Sequence, residues 1–188
     1  MLLNIRTITV DEYHRMGEMG IFHPEERVEL VNGQIIKMSA KGTAHESSLT
    51  RTNQLLVNLT TQVQMMVRVQ SPILLNDNSE PEPDFSLVRI DRFYYADNHP
   101  TVADIYLVIE IADSSFRYDC EIKGRLYAEA GMADYWVLDV NNRQLHVFRE
   151  PGNNGYQSEV ILGEDATISP LQFPDLNITV SQMLAPQR

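Results

Sequence analysis

Between Asp104 and Ala112 the chain reads Asp-Ile-Tyr-Leu-Val-Ile-Glu-Ile-Ala, an almost unbroken apolar run with one carboxylate, Glu110, inside it. So short a run, rich in β-branched residues, predicts a central strand covered on both faces. Alternation would put Tyr106, Val108 and Glu110 on one face and Ile105, Leu107, Ile109 and Ile111 on the other. A buried carboxylate is costly unless it is paired, protonated or bound to a cation. Glu110 is therefore either half of a structural ion pair, with Lys123 or Arg125, or a ligand for a divalent metal.

The rest of the chain supplies the partners for such a strand. Thr9-Val-Asp-Glu12 has the spacing of a capping box, which predicts a short helix to about Met19. Arg27–Val31 and Gln34–Met38 flank Asn32-Gly33, the strongest short hairpin signal, because both turn residues must take positive φ. Apolar residues at helical spacing predict one long helix from His45 to about Met66. Strands are expected at Val67–Ser71 and Asp84–Val88, with a polar, Pro-rich loop over Asn76–Pro83. Ser114 or Ser115 can cap a helix that runs to about Ala130 and stops at Gly131. Asp134–Val140 and Gln144–Phe148 form a second hairpin around Asn141-Asn142. Tyr156–Leu162 is one more strand. Leu171, Phe173, Leu176, Ile178 and Val180 should pack a C-terminal tail. The pattern is that of an α/β or α+β single domain.

Composition narrows the function classes. With 43% apolar residues the chain can bury a sizeable core. The single cysteine, Cys120, can form no internal disulfide, in keeping with a reducing cytoplasm, and reads as a small packed residue. No Cys/His cluster in the sequence suggests zinc. No apolar run approaches a membrane span, and Met1–Arg6 does not resemble a signal peptide. The formal net charge is −11, and the whole excess lies in residues 76–188, where eight basic face nineteen acidic side chains. That argues against a broad nucleic-acid-coating surface. A local carboxylate cluster can instead hold a metal that attracts phosphate.

Three residues combine in a chemically meaningful order. Asp84 follows Pro83 at the start of a strand, Glu110 lies in the apolar run, and Lys123 lies on the next helix. Asp119, Lys123 and Tyr127 are four apart and share a helix face. Two carboxylates can hold Mg²⁺ or Mn²⁺, and a nearby ammonium can orient water or offset charge in a transition state. Alone, Asp84 is an ordinary strand-edge residue, and Lys123 a solvated charge paired with Asp119. His45 either faces the site or merely begins its helix. Tyr135 and Trp136 read as core, and Asp139 as a turn contact.

These residues resemble the PD-(D/E)XK nuclease superfamily and, more closely, the Uma family of restriction-endonuclease-like proteins. The matching segments are Val10-Asp-Glu-Tyr13, Arg27-Val-Glu-Leu-Val-Asn-Gly33, His45, Pro83-Asp84 and Leu107-Val-Ile-Glu-Ile111. They continue with Asp119, Lys123, Tyr127, Gly131, Asp134-Tyr-Trp-Val-Leu-Asp139 and Phe173-Pro-Asp-Leu176. The resemblance implies a restriction-endonuclease-like α/β core, a mixed central sheet flanked by helices, with an N-terminal helix and β-hairpin. It implies phosphodiester hydrolysis with Mg²⁺ or Mn²⁺, held by Asp84, Glu110 and the Ile111 carbonyl. Glu29 resembles an acidic residue that an early element contributes in related nucleases; otherwise it is a hairpin residue paired with Arg27 or Lys37. The superfamily's usual lysine two residues after the glutamate is missing, since that position is Ala112; the resemblance places it at Lys123. The Ser-Pro that commonly follows this glutamate is also replaced, because the stretch here is Ala112-Asp113-Ser114-Ser115.

The expectation is thus one domain over residues 1–188, divided into 1–40 (helix and hairpin), 41–162 (nuclease core) and 163–188 (tail). It would be a cytoplasmic, metal-dependent DNA endonuclease, with catalytic Asp84, Glu110, Lys123 and Glu29, and with His45, Asp119 and Tyr127 as secondary residues. A homodimer is expected, because cutting two strands favours symmetric pairing. Arg89, Arg92, Arg117 and Arg125 are candidates for the DNA backbone. The alternatives are a non-catalytic nucleic-acid- or protein-interaction module on the same fold and a hydrolase of smaller phosphodiesters.

Overall fold

A computed structural model of the chain describes residues 5–186. The expected boundaries at residues 1 and 188, and the reading of Met1–Asn4, lie outside the described residues.

The capping box forms as its spacing requires. Glu12 N–H donates to Thr9 Oγ1 at 3.2 Å and Thr9 N–H donates to Glu12 Oε2 at 3.1 Å, starting α1 (Val10–Glu18). Next come β1 (Val28–Val31) and β2 (Gln34–Lys37), paired antiparallel. Their turn residues Asn32 and Gly33 have φ of 50° and 72°. At Gly33 the conformation is not the sole constraint, because a Cβ would lie 2.4 Å from Thr7 Cβ.

Six strands form the central sheet, in the order β3-β4-β5-β6-β7-β8. They are β3 (Met66–Val69), β4 (Phe85–Val88), β5 (Ile105–Ala112), β6 (Asp134–Asp139), β7 (Gln144–Gly152) and β8 (Gly155–Gly163). The β5/β6 pair is parallel and the other pairs are antiparallel, so the sheet is mixed. The apolar run is the interior strand β5, as its composition demands. Leu107, Ile109 and Ile111 pack on one face with Leu56, Leu59 and Trp136. Val108 and Ala112 pack on the other with Tyr127, Tyr135 and Val137. Helix α2 (Thr43–Leu59) and the C-terminal segment cover the first face, and α3 (Gly124–Glu129) covers the second. Truncating a side chain such as the fully buried Leu56 to Ala should cost about 2–5 kcal/mol.

Four local expectations need correction. First, α2 ends at Leu59 instead of near Met66. Thr60 and Thr61 turn their hydroxyls onto Val57 O and Asn58 O, both at 2.7 Å, and such local bonds compete with helix propagation. Second, the alternation in β5 holds only from Leu107 onward. Leu87 pairs with Leu107 but Val88 pairs with Ile105, so one residue is inserted. Tyr106 consequently packs on the α2 face and Ile105 on the α3 face. Third, the helix after β5 contains a π-helical segment, Tyr118–Lys123, that runs directly into α3. Fourth, Leu171 is 50% exposed, whereas Leu176, Ile178 and Val180 are buried and Phe173 packs against them. Two short strands, β9 (Thr167–Ile168) and β10 (Ile178–Thr179), pair to hold that segment. Among the described residues, no helix is long and apolar enough to cross a membrane.

Candidate active site

Strand β4 begins at Phe85, opposite Ile109, so β5 continues past it by three residues. Asp84 sits just before β4 and therefore lies beside Glu110 and Ile111. Ile111 N–H donates to Asp84 Oδ2 at 2.9 Å, and Asp84 N–H donates to Glu110 Oε2 at 3.3 Å. The two carboxylates expected to act together are joined through backbone amides. Ala112 O accepts from Val140 N–H on the β6 side. Successive residues of a strand point their peptide groups to opposite neighbours, so the Ile111 carbonyl faces the Asp84 side.

The following helix supplies the cation. Lys123 Nζ lies 3.0 Å from Glu110 Oε1 and 3.1 Å from Glu29 Oε2, and all three side chains are almost fully buried. Tyr127 donates its hydroxyl proton to Glu110 Oε1 at 3.0 Å. Lys123 and Tyr127 thus share a face directed at Glu110, as their spacing predicts. Asp119 is buried on the same helix and accepts from Ser115 Oγ at 2.6 Å. Arg125 turns away to Glu129, so of the two cations considered for Glu110, only Lys123 pairs with it. Glu29 pairs with neither Arg27 nor Lys37. It takes Lys123, the Tyr118 hydroxyl at 3.2 Å and the Glu82 N–H at 3.1 Å.

Asp84 is oriented from three sides. His45 Nε2 lies 3.1 Å from Oδ2, Gln70 Nε2 donates to Oδ1 at 3.0 Å, and Ile111 N–H completes the set. Burial pushes the Asp84 carboxyl up, but these groups outweigh it and hold it below its usual value. Glu110 goes the other way. Burial raises it to about 8, and although Lys123 opposes the rise, Asp119, Asp84 and Glu29 add to it. Lys123 is penalised by burial, yet Glu110, Glu29 and Asp119 keep it charged and raise it well above its ordinary value. Burial raises Asp119 to about 6.

These groups floor a cleft of about 320 Å³. Six carboxylates (Glu29, Glu82, Asp84, Glu110, Asp113 and Asp119) line it against four cations (Arg27, Lys37, Lys41 and Lys123). That surplus is what a divalent ion would offset. The donors also suit a hard cation, since Asp84, Glu110 and the Ile111 carbonyl offer only oxygen. Glu110 Oε1 is saturated by Lys123 and Tyr127, but Oε2 takes only the long Asp84 amide bond. Asp84, Glu110 and Glu29 do not bring three side-chain oxygens within 4.8 Å of one another, so a third ligand must be backbone or water.

The anticipated arginines do not line this cleft. Arg117 and Arg125 are held by Glu121 and Glu129, Arg89 by the Ala103 carbonyl, and Arg92 lines a separate groove with Ile90 and Tyr94. The rim cations are Arg27, Lys37 and Lys41. Gln70, Tyr118 and Lys41 carried no sequence signal, because each reaches the cleft through tertiary folding.

Comparison with known proteins agrees with this architecture. The sequence matches a family described as "Uma2: Putative restriction endonuclease" over residues 10–181. One of four solved chains that match is described as "a putative nuclease belonging to DUF820 from Anabaena variabilis ATCC 29413". It is 16% identical, with a TM-score of 0.70 covering 94% of this chain and 97% of that one. At that identity the likeness shows the fold, a nuclease-type α/β core. No curated protein matches the sequence.

Proposed function

Because the chain belongs to the Uma2 family of restriction-endonuclease-like proteins, we propose that it is a Mg²⁺- or Mn²⁺-dependent endonuclease that hydrolyses DNA phosphodiester bonds. Asp84, Glu110 and the Ile111 carbonyl would hold the ion. When bound, it supplies Lewis-acid polarisation of the phosphate and eases deprotonation of water.

The chain's own residues do the rest. His45, Gln70 and the Ile111 amide fix the Asp84 rotamer and keep it ionised. Tyr127 and Lys123 hold Glu110 Oε1, which leaves Oε2 free to turn to the ion. The Lys123 ammonium offsets negative charge as the phosphorus centre is attacked. Glu29 shares that ammonium, so it positions Lys123 and can reach the ion through water. Asp119 adds to the negative field that keeps Lys123 protonated. Lys41 and Arg27 stand at the rim, where a scissile phosphate would enter. Lys41 has no ion-pair partner within 4.0 Å among the described residues. We further propose that residues 1–188 act as one domain, in the cytoplasm, and as a homodimer.

The observation that carries this reading is the Asp84–Ile111–Glu110–Lys123 contact set at the end of β5. The test is plasmid DNA with Mg²⁺ or Mn²⁺, using wild type, Glu110→Gln and Lys123→Met. The wild type should nick, and each variant should lose about 10²–10³-fold, the usual effect of removing one charge-stabilising group. Equal nicking by all three would contradict the proposal. A non-catalytic interaction module is favoured by one feature, that Lys123 already satisfies Glu110 as an ion pair; absence of Mn²⁺ binding in calorimetry would select it.

A further inference from the structure

A second group of ligand-type side chains lies outside the cleft. His14 on α1, Glu80 in the loop before β4 and His99 in the loop before β5 each offer one ligand atom, and these atoms lie within 4.8 Å of one another. Among the described residues this is the one trio that does so. His14 Nε2 is 2.8 Å from Glu80 Oε1, and the two histidine rings stand edge to face with centroids 6.4 Å apart. Glu80 is 4% exposed. His99 Nδ1 is buried with no hydrogen-bond partner. None of the three lines the cleft of Asp84 and Glu110.

We infer that His14, Glu80 and His99 form a binding site for one borderline transition-metal ion of the Zn²⁺ class. Two imidazole nitrogens and one carboxylate oxygen select Zn²⁺, Co²⁺ or Ni²⁺ over Mg²⁺, which takes oxygen ligands. Three protein ligands leave a fourth position for water. Metal–nitrogen bonds of about 2.0–2.1 Å set tetrahedral ligands about 3.3 Å apart, so the trio needs only a small closing motion. Burial lowers His99, Glu80 opposes that, and Arg68 and His14 add to it, so Arg68 works against a bound cation. The Arg68 guanidinium, however, is turned over the Tyr95 ring at 5.5 Å.

The site has a mechanical consequence. Of helix α1 only Val10 is buried, with the Tyr13 ring packed on Phe22, so few apolar side chains hold it. Coordination would clip α1 to two loops 66 and 85 residues away in sequence. Tyr13, next to His14, donates its hydroxyl proton to Val28 O at 2.9 Å. The clip would therefore also brace β1, the strand that carries Glu29. Sequence spacing alone suggested no zinc, because these ligands come from three distant segments.

The test uses full-length, metal-stripped protein titrated with Zn²⁺ in excess Mg²⁺, with Co²⁺ as a spectroscopic probe. Wild type should bind one Zn²⁺ per chain, melt at a higher temperature with it, and give visible Co²⁺ bands. His14→Gln with His99→Gln should weaken binding at least about 100-fold and abolish the melting shift, since even outer ligand partners are worth 10–100-fold. Asp84→Ala with Glu110→Ala should leave Zn²⁺ binding unchanged, which separates this site from the cleft. If the double histidine variant does not fold, His99→Gln alone must still lose the Co²⁺ bands. No Zn²⁺ uptake by wild type, uptake that survives His99→Gln, or uptake lost with Asp84 and Glu110 would each overturn the inference.

Discussion

The cleft and the α1 trio both gather ligand-type side chains from distant segments, yet they are built to opposite chemistry. At the cleft every candidate ligand is an oxygen and the neighbouring cation, Lys123, is locked between Glu110 and Glu29. At the trio two of three donors are imidazole nitrogens and His14 is 46% exposed on its side chain. The cleft is set into the central sheet, where side chains are fixed by strand register. The trio joins a helix to loops, where position depends on the tether itself. The first is therefore held in place without an ion, whereas the second would gain order by binding one.

That contrast can be broken most severely at Lys123. In metal-free protein, Lys123→Met leaves Glu110 and Glu29 buried without their cation, and stability should fall by about 3–5 kcal/mol in chemical denaturation. A change below 1 kcal/mol would mean the cleft is not organised around that charge. Next in size, Glu110→Gln should cut nicking about 10²–10³-fold while costing less stability than Lys123→Met, because Lys123 keeps Glu29 as its partner. A large stability loss would make Glu110 chiefly a structural residue.

A subtler effect follows from Asp119. Its neighbours are Ser115, Lys123, Asp84 and Glu29, and burial raises it from 3.8 to about 6. The folded state thus holds this proton more tightly than the unfolded state. Its contribution is fully present below about pH 3.8 and is lost as pH rises through about 6. The stability of wild type minus Asp119→Asn should therefore fall between those values and stay flat above them. A difference independent of pH would show that Asp119 is not buried as described. The smallest effect belongs to Leu171, whose exposure predicts that Leu171→Ser changes stability by less than about 0.5 kcal/mol.

Legibility in the sequence divided along the same line. The capping box, the Asn32-Gly33 hairpin and β5 were readable because each is governed by local chemistry or a strong apolar pattern. The Asp84, Glu110 and Lys123 grouping was readable from order and resemblance. The end of α2, the bulge at Tyr106 and the π-helical turn were not, since tertiary pairing decides them. Gln70 on Asp84, Tyr118 on Glu29, and His14 beside His99 were invisible for the same reason. The placement of Arg117 and Arg125 away from the cleft was not legible either, because composition gives their number, whereas ion pairs with Glu121 and Glu129 give their direction.

The most direct test is a crystal of the protein grown with Mn²⁺ and examined by anomalous scattering. One ion should touch oxygens of both Asp84 and Glu110, with Lys123 still beside Glu110. No ion there, with the Lys123–Glu110 pair closed over the position, would contradict it.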